Sequence, residues 1–123
     1  KAVEQDRPTH IFIRKFLAML DCGQVCVVPA SEGDGILPSG CLGYEDEEYY
    51  YLFFESTQRA VKKFCDDQGE GFTISTKALG KALADEGFIN TDTGENTRTM
   101  RFGSKTKRVL LLRKEMVEKV MGI

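Results

Sequence analysis

The fold is decided by Ser56-Thr-Gln-Arg-Ala-Val-Lys-Lys-Phe-Cys-Asp-Asp-Gln-Gly69 and, after Glu70 to Thr73, by Ile74-Ser-Thr-Lys-Ala-Leu-Gly-Lys-Ala-Leu-Ala-Asp-Glu-Gly-Phe88. In the first run Thr57, Ala60, Val61, Phe64 and Cys65 recur at helical spacing. Arg59, Lys62, Lys63, Asp66 and Asp67 fall on the opposite side. That division predicts a helix over Ser56–Gln68, with Ser56 as its N-cap and Gly69 as its stop. The second run predicts a helix over Ser75–Glu86. Ser75 caps it, Ile74 and Leu79 occupy the two positions of a hydrophobic staple, and Gly87 with Phe88 makes a Schellman end against Leu83. Gly69 to Ile74 is a link of the length that joins adjacent helices.

Downstream, Thr97 to Phe102 and Lys105 to Arg113 read as a hairpin closed by Gly103-Ser104, after a polar stretch from Asp92 to Asn96. Lys114 to Met121 suits a short terminal helix. Upstream, Ile13, Phe16, Leu17 and Leu20 mark a helix from Arg7 to Cys22, capped by Asp6, with Pro8 in its first turn and Gly23 at its stop. Gln24 to Pro29 reads as a strand and Ser31 to Gly40 as a loop. Cys41 to Tyr44 and Glu48 to Phe54 read as two strands joined by the turn Glu45-Asp46-Glu47. The unalternating run Tyr49-Tyr50-Tyr51-Leu52-Phe53-Phe54 implies a strand covered on both faces.

The order helix, strand, hairpin, helix, helix, hairpin predicts an α+β fold in one domain over residues 1–123. It is winged-helix-like: a helix-turn-helix plus a basic β-hairpin wing, with an additional N-terminal β-hairpin. Length and composition agree with one globular core, with 41% hydrophobic and 29% charged residues. No run approaches the roughly 20 apolar residues of a membrane span. Lys1 to Asp6 lack the features of a signal peptide. The chain has no initiator Met, which fits a C-terminal fragment of a larger protein.

Cys22, Cys26, Cys41 and Cys65 form no dense framework, and a reduced, cytoplasmic setting with buried free thiols is the simplest expectation. A zinc site is the sharper alternative, but the spacing after Cys22-x3-Cys26 offers no second close pair and His10 no natural fourth ligand.

Charge is segregated along the chain. Residues 1–55 carry 4 basic and 10 acidic side chains, residues 56–96 carry 5 and 7, and residues 97–123 carry 8 and 2, for a net charge of −2 overall. A surplus of this kind bears on partners. Arg98, Arg101, Lys105, Lys107 and Arg108 lie along the predicted wing, and Lys77 and Lys81 share one face of the second helix. These seven are the candidate nucleic-acid-binding residues, neutralising phosphates and releasing counterions. Thr76 can donate to a phosphate at the helix start. Gly80 costs that helix about 1 kcal/mol against alanine, so a close approach, by a neighbouring helix or by a phosphate backbone, must compensate.

No phosphate-loop or dinucleotide motif is present, and no nucleophile stands with the single His. The domain is therefore expected to be non-enzymatic, with no metal and no cofactor. Glu45 to Glu48 are acidic enough to hold a hard cation for a nuclease, but adjacent carboxylates in a tight turn read first as a solvated tip.

Cys41-Leu42-Gly43-Tyr44, Phe64 to Gly69, Ile74-Ser75 with Leu79 and Leu83 through Gly87, and Arg108-Val109-Leu110-Leu111-Leu112-Arg113 together resemble the C-terminal domain of phage and mobile-element primase/helicase-like P-loop ATPases. The likeness runs from about Phe16 to Arg113. It implies an accessory DNA-binding module of a replication protein, with DNA and the upstream ATPase or helicase domain as partners, and it transfers no functional residue. The long acidic hairpin before the helix pair departs from a minimal winged helix. The alternative is a protein–protein interaction module that docks onto its own ATPase or a replication partner through that acidic, aromatic hairpin.

Overall fold

A computed structural model describes residues 7–32, 37–91 and 96–122. Helix α1 spans Pro8–Asp21, strand β1 Cys26–Pro29, a 3-10 turn Ala30–Glu32, β2 Cys41–Glu45, β3 Tyr49–Leu52, α2 Phe54–Asp67, α3 Thr76–Asp85, β4 Arg98–Phe102, β5 Lys105–Arg113 and α4 Lys114–Met121. The protein is thus α+β, with four helices and one five-stranded mixed sheet of order β1-β2-β3-β5-β4 among the described residues. The expected Asp6 cap and the turn residues Asp92 to Glu95 lie outside the described residues, as does the Gly33 to Ile36 part of the expected loop.

Helix α1 begins on Pro8, whose missing N–H costs nothing at that position. Its buried face is Phe12, Ile13, Phe16 and Met19, so Leu17 and Leu20 flank the stripe instead of centring it. Helix α2 starts earlier than its cap signal indicates, with Phe53 and not Ser56 at the N-cap. The cause is burial: Phe54 packs edge-to-face on Phe12 at 6.1 Å. Burying a phenyl ring stabilises by about 1.5–3 kcal/mol. A serine cap contributes about 1 kcal/mol. Helix α3 obeys its local signals, since Ser75 Oγ accepts from Ala78 N and Phe88 N–H donates to Leu83 O across Gly87, which sits at φ +80°.

The inner hairpin, expected as an addition to a winged helix, supplies the centre of the sheet. β3 pairs with β5 (Leu52↔Leu110, Tyr51↔Leu111, Tyr50↔Leu112), β5 pairs with β4, and β1 lies parallel to β2 at the far edge. Between Cys26↔Cys41 and Val27↔Gly43 the register shifts, leaving Leu42 as a bulged residue. The bulge turns Leu42 into the core beneath the helices while Tyr44 faces the other way. Gly43 follows because a Cβ there would stand 1.9 Å from the backbone oxygen of Tyr51.

Two cores result. Beneath the helices, Leu52, Leu110 and Leu112 meet Phe12, Phe16, Val61, Leu79 and Leu83. On the opposite face Tyr44, Tyr51, Val109 and Leu111 form a second cluster, completed by Phe102. The tip of the β4–β5 hairpin therefore folds over the sheet: Phe102 stacks on Tyr44 with ring centroids 4.0 Å apart and planes 12° apart. Both faces of the aromatic run Tyr49 to Phe54 are covered, as its lack of alternation implied.

The expectation of buried free thiols is corrected. Cys26 and Cys41 are joined in a disulfide across the β1–β2 pair, Cα–Cα 4.4 Å, and Cys22 is exposed, leaving Cys65 as the buried free thiol among the four. A register that sets two cysteines side by side on neighbouring strands brings them within bonding reach, and linear spacing does not reveal that.

Candidate nucleic-acid interface

Cross-strand partners share a face, so the β4–β5 register sorts the five ribbon cations. Arg98, Lys105 and Lys107 lie on the face of Phe102 and Val109, and Arg101 and Arg108 lie on the other. Several of these cations also have partners within the fold. Arg98 donates from Nη2 to Asn90 Oδ1 at 3.2 Å, and Asn90 Nδ2 donates to Tyr49 Oη at 2.9 Å, a chain that ties β4 to β3 through the Ile89–Asn90 segment. Arg101 Nε donates to Gly103 O at 3.1 Å and steadies the hairpin turn. On α3, Lys81 pairs with Asp85 at 3.2 Å in an exposed i,i+4 contact, worth about 0.3–0.5 kcal/mol. Lys77 and Lys105 are exposed.

Lys107 and Arg108 reach a common place. Together with Ser56 and Glu55 of the first turn of α2, Thr76 at the start of α3 and Thr97 just before β4, they line an open cleft of about 530 Å³. Phe53 and Phe54 form its apolar wall. The first turn of α2 has no side-chain cap, so its N–H groups add the partial positive charge of a helix start to one side of the cleft. Glu55 is the opposing charge. Lys77 follows Thr76 by one residue. The cleft offers hydroxyl donors, cations and a helix start within one concavity, a set that suits phosphate oxygens.

A second groove lies between α2 and the start of α3, lined by Gln58, Arg59, Lys62 and Ser75 among others. Gln58 is buried and its Nε2 donates to Ile74 O at 2.6 Å, which fixes the link between the two helices. Sequence periodicity missed this residue because glutamine is counted as polar. By local pattern Ser56 is a cap and Thr97 a strand residue, and Thr76 alone of the cleft hydroxyls stands out as a phosphate donor. The cleft joins residues 53–56, 76, 97 and 107–108, and no linear pattern encodes that meeting.

Gly80 is explained without nucleic acid. A Cβ there would lie 2.6 Å from Asn96 Nδ2 and 3.2 Å from Phe54 Cε2, so the close approach comes from the protein itself, and the glycine is buried. Among the carboxylates of the acidic run, Glu45 pairs with Lys114 at 2.8 Å and Asp46 is occupied by the turn. No group of three or more metal-ligating side chains occurs among the described residues. The aromatic side chains of the inner hairpin point into the two cores, and Met121 is the exposed large hydrophobic residue among the described ones. No described helix is long and apolar enough to cross a membrane. No protein-family model matches the chain, and no curated protein or solved structure matches it either.

Proposed function

We propose that this chain is an accessory nucleic-acid-binding module of a phage or mobile-element replication protein, working in the cytoplasm beside an upstream ATPase or helicase domain and itself carrying out no catalysis. The cleft between the starts of α2 and α3 and the β4–β5 hairpin carries the proposal. Its Lys107 and Arg108 bring two of the seven candidate cations to one concavity with Thr76, Thr97 and Ser56. The α2–α3 pair with its hairpin is the winged-helix-like element of this reading, with the hairpin folded onto the sheet and gripping a backbone along its flank. Arg98, Arg101 and Arg108 each also have a partner within the fold, so the contact is smaller than a ribbon of five free cations would make. An auxiliary contact of this size agrees with a net charge of −2.

Fluorescence anisotropy with labelled single-stranded and duplex DNA tests the proposal. Affinity should fall steeply between 50 and 200 mM salt, and Lys107→Glu with Arg108→Glu should weaken binding about tenfold or more on both probes. Lys63→Glu, on an exposed i,i+4 pair near the far end of α2, should change little. A salt-independent response, or equal binding by the double variant, overturns the assignment.

A further inference from the structure

We propose that the Cys26–Cys41 disulfide is a redox latch that holds the edge strand β1, and that its reduction releases this strand while the rest of the sheet stays folded. Such a latch operates whether or not the chain binds nucleic acid. β1 is four residues long, lies at the edge of the sheet and has no buried residue. It pairs with β2 alone, and that pairing is interrupted at its first step, between Cys26 and Val27. Val27 and Val28 touch the two cores only from their margins. By composition and burial such a strand lies at the low end of local stability. One covalent bond compensates, and it is placed where a reductant reaches it, because Cys26 is exposed.

The chemistry needs a dithiol reductant. Its thiolate attacks the Cys26 sulfur, Cys41 leaves as a thiolate and takes up a proton, and the second thiol of the reductant displaces Cys26 as the reductant closes to its own disulfide. Two electrons and two protons pass to the protein, which gains two thiols. A bridge spanning a sequence separation of 15 constrains the opened segment by roughly a hundredfold in its opening equilibrium on the loop-entropy estimate. Loss of the bond therefore shifts β1 and the 3-10 turn after it toward the open state. The sheet from β2 to β4 keeps its own pairing and both cores, so opening stays local.

Hydrogen exchange of the whole chain, air-oxidised and then treated with dithiothreitol, reads this out. Mass spectrometry after alkylation under denaturing conditions should count two free thiols before reduction and four after it. Peptides covering residues 24–32 should then exchange roughly a hundredfold faster, while peptides from α2, β3 and β5 change less than about threefold. The Cys41→Ser variant should behave as the reduced protein without any reductant, and Cys22→Ser should still switch. Unchanged exchange at 24–32 after full reduction overturns the proposal. So does loss of protection throughout the molecule, which would make the bond a global staple, and so does a count of four free thiols in the oxidised sample.

Discussion

Asp46 holds the turn between β2 and β3. Its Oδ1 accepts from the N–H groups of Glu48 and Tyr49, both at 2.8 Å, and its Oδ2 accepts from the Tyr51 hydroxyl. Burial alone would raise its pKa, but the Tyr51 hydroxyl, the two N–H donors and the Lys114 charge outweigh it and hold the carboxyl below its usual range. Burial, and then the same contact with Asp46, push the Tyr51 phenol well above its ordinary value. A carboxylate depressed on folding stabilises the protein above its unfolded pKa, near 4, and that stabilisation is lost as pH falls through the lower folded value. Urea titrations of the wild type and Asp46→Asn should therefore differ at pH 6, with the gap closing toward pH 2. Since Asp46 is exposed, solvent screening should keep the gap under about 1 kcal/mol. The acidic run was legible as a turn, whereas the separate duties of its members were not. Glu45 serves Lys114 and Asp46 serves the turn, and only the fold assigns those partners.

At the scale of elements, α3 was the most legible piece of the chain. Its cap and its Schellman end are local chemistry, and both stand where the residues place them. Ser75→Ala should cost about 1 kcal/mol, measured by urea or thermal denaturation at neutral pH. The start of α2 shows the limit of such signals. Ser56 looks like a cap, but the pull of Phe54 into the core lies in a tertiary contact with Phe12, forty-two positions away. The disulfide was illegible for the same reason: Cys26 and Cys41 become neighbours only through a parallel register with a bulge, and that register was not deducible from two short runs of apolar residues.

For the whole molecule, the α+β class and the order of elements could be read from the chain, but the sheet order could not. Nothing local states that β3 would pair with β5 or that the basic hairpin would fold back over the sheet. Phe102 shows what that return contributes, since it is buried against Tyr44 at 4.0 Å and Tyr51 at 5.9 Å. Phe102→Ala should destabilise by roughly 3 kcal/mol, as ring deletions in packed sites do. Denaturation should show this loss together with faster hydrogen exchange in residues 98–109 than in α1. The candidate cleft was half legible: its cations and Thr76 stood out, while its walls come from the packing of three separate segments.

β5 has a consequence for how tightly the sequence must be written. Val109 and Leu111 belong to one core and Leu110 and Leu112 to the other, so four consecutive side chains are divided between two interiors. A slip of one residue along either neighbour would send each pair to the wrong side. Because all four are aliphatic, hydrophobicity alone would barely penalise the mistake. Alignment must instead come from what brackets the strand: the Gly103-Ser104 reversal at one end and, at the other, the Lys114 N–H seated on the Glu48 carbonyl at 2.9 Å.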